Sequence, residues 1–344
     1  MATYYVPRTA METLLREREG VSTFAPCETE ALAWLDCADP EKSITALAQP
    51  RPAQSFKGFF LAASESVGRY GSQAAAPTAV QVRQLVLVGV RACELRARNY
   101  LDKVLLEGEF DDPAYRAQRD ATTTVSCDCV DCTDSCFCTL VGGRPFATEG
   151  YDANLSPVDD GFVLEVATEA GRKWVGEAQL SEATDQQVAR RDEIRQAMVR
   201  RLEEQNAKFA VSASDTDVPP LPDDAATSWQ KFAADCVECG ACTNICPTCH
   251  CFYLYDQALG PQEFERIRTW DSCLLSTYHR MAGAAGMKGT PRPNLSSRLA
   301  NRVLHKFTYS PQQYKLLGCV GCGRCVDACL GEIDIRRVVE ELGK

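Results

Sequence analysis

The chain has 344 residues, 19 of them cysteine, and a formal net charge of −10. That length leaves room for two or three domains with cores of their own, and the acidic balance argues against a nucleic-acid partner, which would need a basic face. The cysteines are odd in number and clustered, which points to metal ligation under reducing conditions rather than to a disulfide framework.

Residues 1–180 read as an α/β domain. Met1–Gly20 is polar and charged with no apolar signal core, and the strongest apolar run, Leu85–Val90, is too short to span a bilayer, so a cytoplasmic protein without a membrane span is expected. Tyr4–Pro7 predicts a short strand, Met11–Glu19 an amphipathic helix, and Lys57–Ala62 a loop at the edge of the core. Gln84–Val90 is a continuous β-branched and leucine run, the pattern of a strand covered on both faces. It breaks at Gly89-Val-Arg91 and continues as a helix from about Cys93 to Leu106, with Leu95, Val104 and Leu105 on its apolar side. Arg91, Cys93 and Glu94 therefore fall in a strand-to-helix turn, where open α/β sheets bind ligands and where a helix N-terminus favours an anion. A single cysteine at such a place is more often simple packing.

The next segment changes that reading. Cys127, Cys129, Cys132, Cys136 and Cys138 place five thiols in twelve residues, among aspartates. Redox-active disulfides and a zinc site are two explanations; a [4Fe–4S] cluster taking Cys93 as one ligand is the third. Gly142-Gly143 and Pro145 mark a turn, and Phe162–Thr168 with Lys173–Val175 suggests a hairpin. Residues 181–224 then read as a connection. A helix from Glu182 to about Ala210 carries Ile194, Met198 and Leu202 on one face, with Arg190, Arg191, Arg195, Arg200 and Arg201 on a solvated one. Ser212–Asp224, with Pro219, Pro220 and Pro222, is a linker that sets the domain boundary.

Residues 225–344 open with a short helix bearing Trp229 and Phe232. Cys236-x2-Cys239-x2-Cys242-x3-Cys246-Pro247 follows, and the spacing returns as Cys319-x2-Cys322-x2-Cys325-x3-Cys329. This is the bacterial ferredoxin run, in which three cysteines hold one cubane and the fourth reaches across to the other. The first [4Fe–4S] cluster is thus assigned to Cys236, Cys239, Cys242 and Cys329, and the second to Cys319, Cys322, Cys325 and Cys246. Gly240 and Gly323 follow the second cysteine of each run, where a tight loop must close. Structural zinc also uses C-x2-C pairs, but it needs two pairs rather than two matched quartets. The expected architecture is an α/β N-terminal domain followed by an elaborated, mainly helical, two-cluster ferredoxin-like domain. The 72 residues between Cys246 and Cys319 hold Cys249, Cys251 and Cys273, read as buried free thiols, and the basic group Arg298, Arg302, His305 and Lys306. His250, His279 and His305 are scattered and form no recognisable site.

Cys236-Val-Glu-Cys-Gly-Ala-Cys-Thr-Asn-Ile-Cys-Pro-Thr-Cys-His-Cys-Phe252 resembles the iron–sulfur subunits of anaerobic sulfite reductases and the β subunits of cytoplasmic sulfhydrogenases. Trp270-Asp-Ser-Cys273, Met281-Ala-Gly283, His305-Lys-Phe307 and Cys319–Cys325 fit the same pattern, as do Gly89-Val-Arg-Ala-Cys-Glu94 and Cys136-Phe-Cys138. The likeness runs from about residue 85 onward. Ala92 and Leu330 stand where the pattern has proline, and 127–132 is unusually rich in cysteine. The resemblance implies an electron-relay subunit rather than a complete enzyme. It would work between a flavoprotein subunit with FAD and an NAD(P) site and a terminal hydrogenase or sulfite-reductase subunit. It also favours Cys129, Cys136 and Cys138, with Cys93, as ligands of a third cluster, leaving Cys127 and Cys132 as substitutes or spectators. An alternative implied by the related deazaflavin-dependent hydrogenase subunits is a flavin in the first domain.

Overall fold

The computed structural model describes residues 2–16, 19–28, 32–36, 39–71, 81–278 and 290–344. Its strands are β1 (Ala2–Pro7), β2 (Ser22–Glu28), β3 (Leu32–Asp36), β4 (Ser64–Gly71), β5 (Leu85–Val90), β6 (Thr122–Cys127), β7 (Ala153–Val158), β8 (Gly161–Val166), β9 (Ser181–Glu182), β10 (Phe252–Gly260) and β11 (Glu263–Trp270). Eight of them form one mixed sheet in the order β3-β2-β5-β6-β7-β8-β1-β9. The central strands β2, β5, β6 and β7 run parallel, and the flanking pairs are antiparallel.

β5 is buried at every residue, as its unbroken apolar run requires. Its side chains alternate between two cores. Val86 and Val88 join Val6, Met11 and Leu155 on one face, while Leu85 and Leu87 join Phe56, Tyr100 and Leu101 on the other. The helix after β5 spans Ala92–Leu106, so Arg91, Cys93 and Glu94 do sit at the strand-to-helix turn.

Four local expectations change. The first helix is Arg8–Leu15. Lys57 lies in a 3₁₀ turn, Phe56–Phe59, whose Phe56 enters the core. Gly161–Val166 pairs with β7 and β1, while Glu169–Val175 is a helix. There Thr168 caps the helix by accepting from the Gly171 N–H at 3.2 Å, and that cap outweighs the weak alternation of the segment. Lastly, the arginines of the long helix Asp185–Asn206 are not all solvated. Arg195 pairs with Asp128 at 2.6 Å and Glu165 at 2.9 Å, and Arg191 with Glu165 at 3.1 Å. These ion pairs clamp the helix over the cysteine-rich loop.

The C-terminal half combines short helices and the helix Leu295–Leu304 with a hairpin, β10–β11, that the helical expectation did not contain. β4, from the first half of the chain, completes that sheet in the order β10-β11-β4. The sequence boundary at 212–224 is therefore crossed in space by a strand. Residues 212–224 have no helix or strand, yet Ala213 and Leu221 pack on the same core as Ile335 and Val339. Among the described residues, no helix is long and apolar enough to cross a membrane.

Candidate metal centre: three groups of thiols

In the first run, Gly240 takes φ +70°, and the chain turns directly into a short helix, Ala241–Asn244. The turn is pinned by the Thr243 hydroxyl, which donates to the Gly240 carbonyl at 2.7 Å and hydrogen-bonds with the Ser272 hydroxyl at 2.7 Å. Cys236, Cys239, Cys242 and Cys329 line one pocket. Burial raises the Cys242 thiol, and so do the neighbouring thiolates of Cys329, Cys246 and Cys239. Cys239 is exposed, and the rim carries Val237 (60% exposed) and Leu330 (76%).

The second run repeats the construction, with Gly323 at φ +73° ahead of the helix Arg324–Asp327. Cys319, Cys322 and Cys246 are buried. Burial pushes Cys325 up to about 12, with the thiolates of Cys246, Cys319 and Cys322 adding to it against Arg302. Cys319 rises to about 11, again chiefly by burial. The fold thus brings Cys329 to the first three cysteines and Cys246 to the second three. Lys306 Nζ donates to Cys246 Sγ at 3.3 Å, to Thr248 Oγ1 at 3.0 Å and to the Gly318 carbonyl at 3.0 Å.

Arginines fasten the second loop to the α/β sheet. Arg51 donates to the Cys322 carbonyl and pairs with Asp327 at 2.6 Å. Arg324 pairs with Glu94 at 2.8 Å, both side chains wholly buried. Arg91, also buried, donates to the carbonyls of Asp128 at 3.0 Å, Leu47 at 2.9 Å and Gln49 at 2.7 Å, so its part at the turn is to anchor the start of the cysteine-rich loop.

In that loop, Cys129, Cys132, Cys136 and Cys138 gather against Met198 and Leu202 of the long helix. Burial raises the Cys138 thiol, reinforced by the Cys129 and Cys136 thiolates. Cys132 donates instead to Gln205 Oε1 at 3.4 Å. Cys127 lies apart, in the apolar core of the sheet, with its thiol on the Leu47 carbonyl at 3.6 Å. Cys93 packs with Val320 and Cys322. Burial raises its thiol, then the Cys322 thiolate, with a smaller effect from Cys129, which puts it between the second and third groups.

Cys249 hydrogen-bonds with Cys246. Cys251 hydrogen-bonds with Cys273 and Tyr278, and the hydrogen bond with Cys273 is the main cause that lowers the Cys251 thiol. Nothing in the spacing signalled Lys57, which is buried, donates to the carbonyls of Asn244 at 3.1 Å and Cys249 at 3.0 Å, and lies 4.2 Å over the Trp270 ring. Two of the scattered histidines meet: the His250 and His305 rings are 5.7 Å apart, edge to face. His279 and Met281–Gly286 lie outside the described residues.

Among the described residues, no three His, Cys, Asp or Glu side chains converge as a single ion would need. Five thiols, those of Cys236, Cys239, Cys242, Cys325 and Cys329, line one pocket instead.

The profile of the 4Fe-4S dicluster domain family matches residues 235–333. The sulfhydrogenase 2 subunit beta of Pyrococcus furiosus is 32% identical over 264 residues, which cover 75% of this chain and 74% of that protein. With its dicluster domain and that likeness, the chain belongs to the family of iron–sulfur, electron-transfer β subunits that includes this sulfhydrogenase subunit.

Proposed function

We propose that this chain relays electrons inside a cytoplasmic oxidoreductase complex. One neighbour is an FAD- and NAD(P)-binding flavoprotein subunit, and the other a terminal subunit of hydrogenase or sulfite-reductase type. Two [4Fe–4S] clusters are held by Cys236, Cys239, Cys242 and Cys329 and by Cys319, Cys322, Cys325 and Cys246. A third is held by Cys93, Cys129, Cys136 and Cys138. When bound, such clusters supply one-electron transfer without proton or group chemistry.

The observation that carries this reading is that the three thiol groups adjoin in succession. Cys242 of the first and Cys325 of the second line the same pocket, and the Cys136 thiol of the third lies 4.0 Å from the Cys322 carbonyl of the second. The chain's own residues keep that line fixed: Arg51 and Arg324 lock the second loop, and Arg195 locks the cover over the third. The exposed Cys239, rimmed by Val237 and Leu330, makes the first group the natural point of exchange with a partner.

The test is anaerobic purification of the full chain. Three clusters require about twelve irons per chain and two require about eight; under about four ends the reading. Cys242→Ser or Cys325→Ser removes or converts one cluster and leaves the rest of the EPR signal. Dithionite bleaches the isolated chain, whereas NADH or NADPH does not until the flavoprotein is added.

A second reading places a flavin in the first domain. It draws on an open groove beside the third thiol group, lined by Arg96, Arg98, Arg119 and Arg144 together with Asp102, Glu149 and Asp215, in which Arg119 pairs with Asp102 at 3.3 Å and Arg96 lies 4.0 Å from Asp215. A flavin spectrum from the purified chain would decide for it.

A further inference from the structure

The helix Leu295–Leu304 and the π-helical turn His305–Tyr309 that continues it carry three cations at four-residue spacing, Arg298, Arg302 and Lys306, and all three are buried. Four-residue spacing puts them on one face, and that face looks onto the cysteine loops. Two of the three are fully occupied. Arg298 donates to the carbonyls of Leu274 at 2.8 Å and Pro293 at 2.6 Å and pairs with Glu238, inside the first cysteine loop, at 2.8 Å. Lys306 uses three contacts, on Cys246 Sγ, Thr248 Oγ1 and the Gly318 carbonyl.

Arg302 differs. It is 5% exposed, and its Nε and Nη2 are buried without a hydrogen-bond partner. A guanidinium cannot shed its charge to escape such a place, and an unpaired buried cation is strongly unfavourable. Its surroundings identify the missing acceptor. Arg302 lines the same pocket as Cys239, Cys242 and Cys329 of the first group and Cys325 of the second. Filled cluster sites would present anionic sulfur on both sides of it.

We propose that Arg302 is the charge shared by the two clusters of the dicluster domain and holds up the reduction potential of both, while Lys306, in contact with Cys246, acts on the second. This rests on the ligand sets proposed above. Reduction adds an electron to an already anionic cluster, so a fixed neighbouring cation stabilises the reduced form, and hydrogen bonds to sulfur act in the same direction. Arg302 and Lys306 are positioning residues here: they bind no electron themselves, and they set how readily the two clusters accept one.

The experiment is an anaerobic redox titration of the full-length chain, read by EPR, for wild type, Arg302→Met, Arg302→Lys and Lys306→Met. Arg302→Met is expected to lower both midpoint potentials of the dicluster domain. The expected size is tenfold or more in each one-electron equilibrium constant, about 59 mV. Arg302→Lys restores most of that shift because it keeps the charge. Lys306→Met lowers one potential and leaves the other in place. If Arg302→Met loses iron while Arg302→Lys keeps it, the need for a cation is supported at the level of cluster retention. Unchanged potentials in an iron-replete Arg302→Met protein would overturn the proposal. So would iron loss in both arginine variants, which marks a packing role, or an equal shift of both potentials in Lys306→Met. A wild-type chain with under about four irons would instead refute the two-cluster reading itself, before any variant is compared.

Discussion

Glu94 and Arg324 come from positions 230 residues apart and pair at 2.8 Å with both side chains wholly buried. Glu94 also accepts from the Phe56 N–H at 3.1 Å and caps its own helix at the Arg91 N–H. Removing one partner of a buried ion pair strands the other, which typically costs about 3–5 kcal/mol. Glu94→Gln should therefore lower stability by about that amount in denaturant titration, while breaking an exposed pair such as Arg172–Glu169 should leave the midpoint almost unchanged. His305 gives a pH signature. Burial, with the His250 and Lys306 charges adding to it, lowers its imidazole from 6.5 to about 4. The unfolded chain then binds a proton between those values that the folded chain refuses, so stability present above pH 6.5 is lost as pH falls toward 4. By pH 5 this amounts to about 2 kcal/mol from this group. Comparing unfolding midpoints at pH 7.5 and pH 5 should show a smaller pH-dependent loss for His305→Phe than for wild type.

At the scale of elements, the two cysteine loops share a design but differ in what surrounds their glycines. A Cβ on Gly240 would meet Ser272 Cβ at 3.3 Å, a neighbour able to give slightly. A Cβ on Gly323 would land on the Ser135 carbonyl of the cysteine-rich loop. Both positions have positive φ, for which a non-glycine residue pays about 1–2 kcal/mol. Gly240→Ala should show that penalty alone in its thermal midpoint and keep its iron. Gly323→Ala should also push the second and third groups apart, which iron analysis would register as loss of at least one cluster.

At the scale of the whole molecule, the halves are interlocked rather than strung together. β4 pairs with β11, the Phe137 N–H donates to the Gly321 carbonyl at 2.8 Å, and Arg51 reaches the Cys322 carbonyl. A fragment ending near residue 210 would lack the far side of the third thiol group and is a poor vehicle for testing it. The test belongs in the full chain, with Cys132→Ala as the control for Cys93→Ala. If Cys93 is a ligand, Cys93→Ala should lose up to about four irons or convert the third cluster's EPR signal, and Cys132→Ala should change neither. The reverse result would transfer the role to Cys132, which already packs with Cys129, Cys136 and Cys138.

The sequence alone was enough to find what is written locally. A cubane's corners are matched by fixed spacings, so both cysteine runs were visible without a fold, and an unbroken Leu/Val run could only be a strand covered on both faces, as β5 is. The same holds for the strand-to-helix turn at Arg91–Glu94. What spacing could not carry was every relation between distant segments. β10 went unseen because residues 252–259 are exposed along their length and lack the alternation of a half-buried strand, and β11 went with it as its hairpin partner. Arg195 read as solvated because its partners, Asp128 and Glu165, are supplied by another loop and strand. The separation of Cys127 from the other thiols of its segment was decided by sheet pairing, since the last residue of β6 points into the core of the sheet while the other four pack against Met198 and Leu202 of the long helix. Arg302 stood in the sequence as one cation of a basic group; only packing, by burying its charge in a pocket of thiols and leaving it unpartnered, singled it out. Local covalent spacing can specify a ligand set, but desolvation, which decides where charges need partners, exists only once the chain has folded.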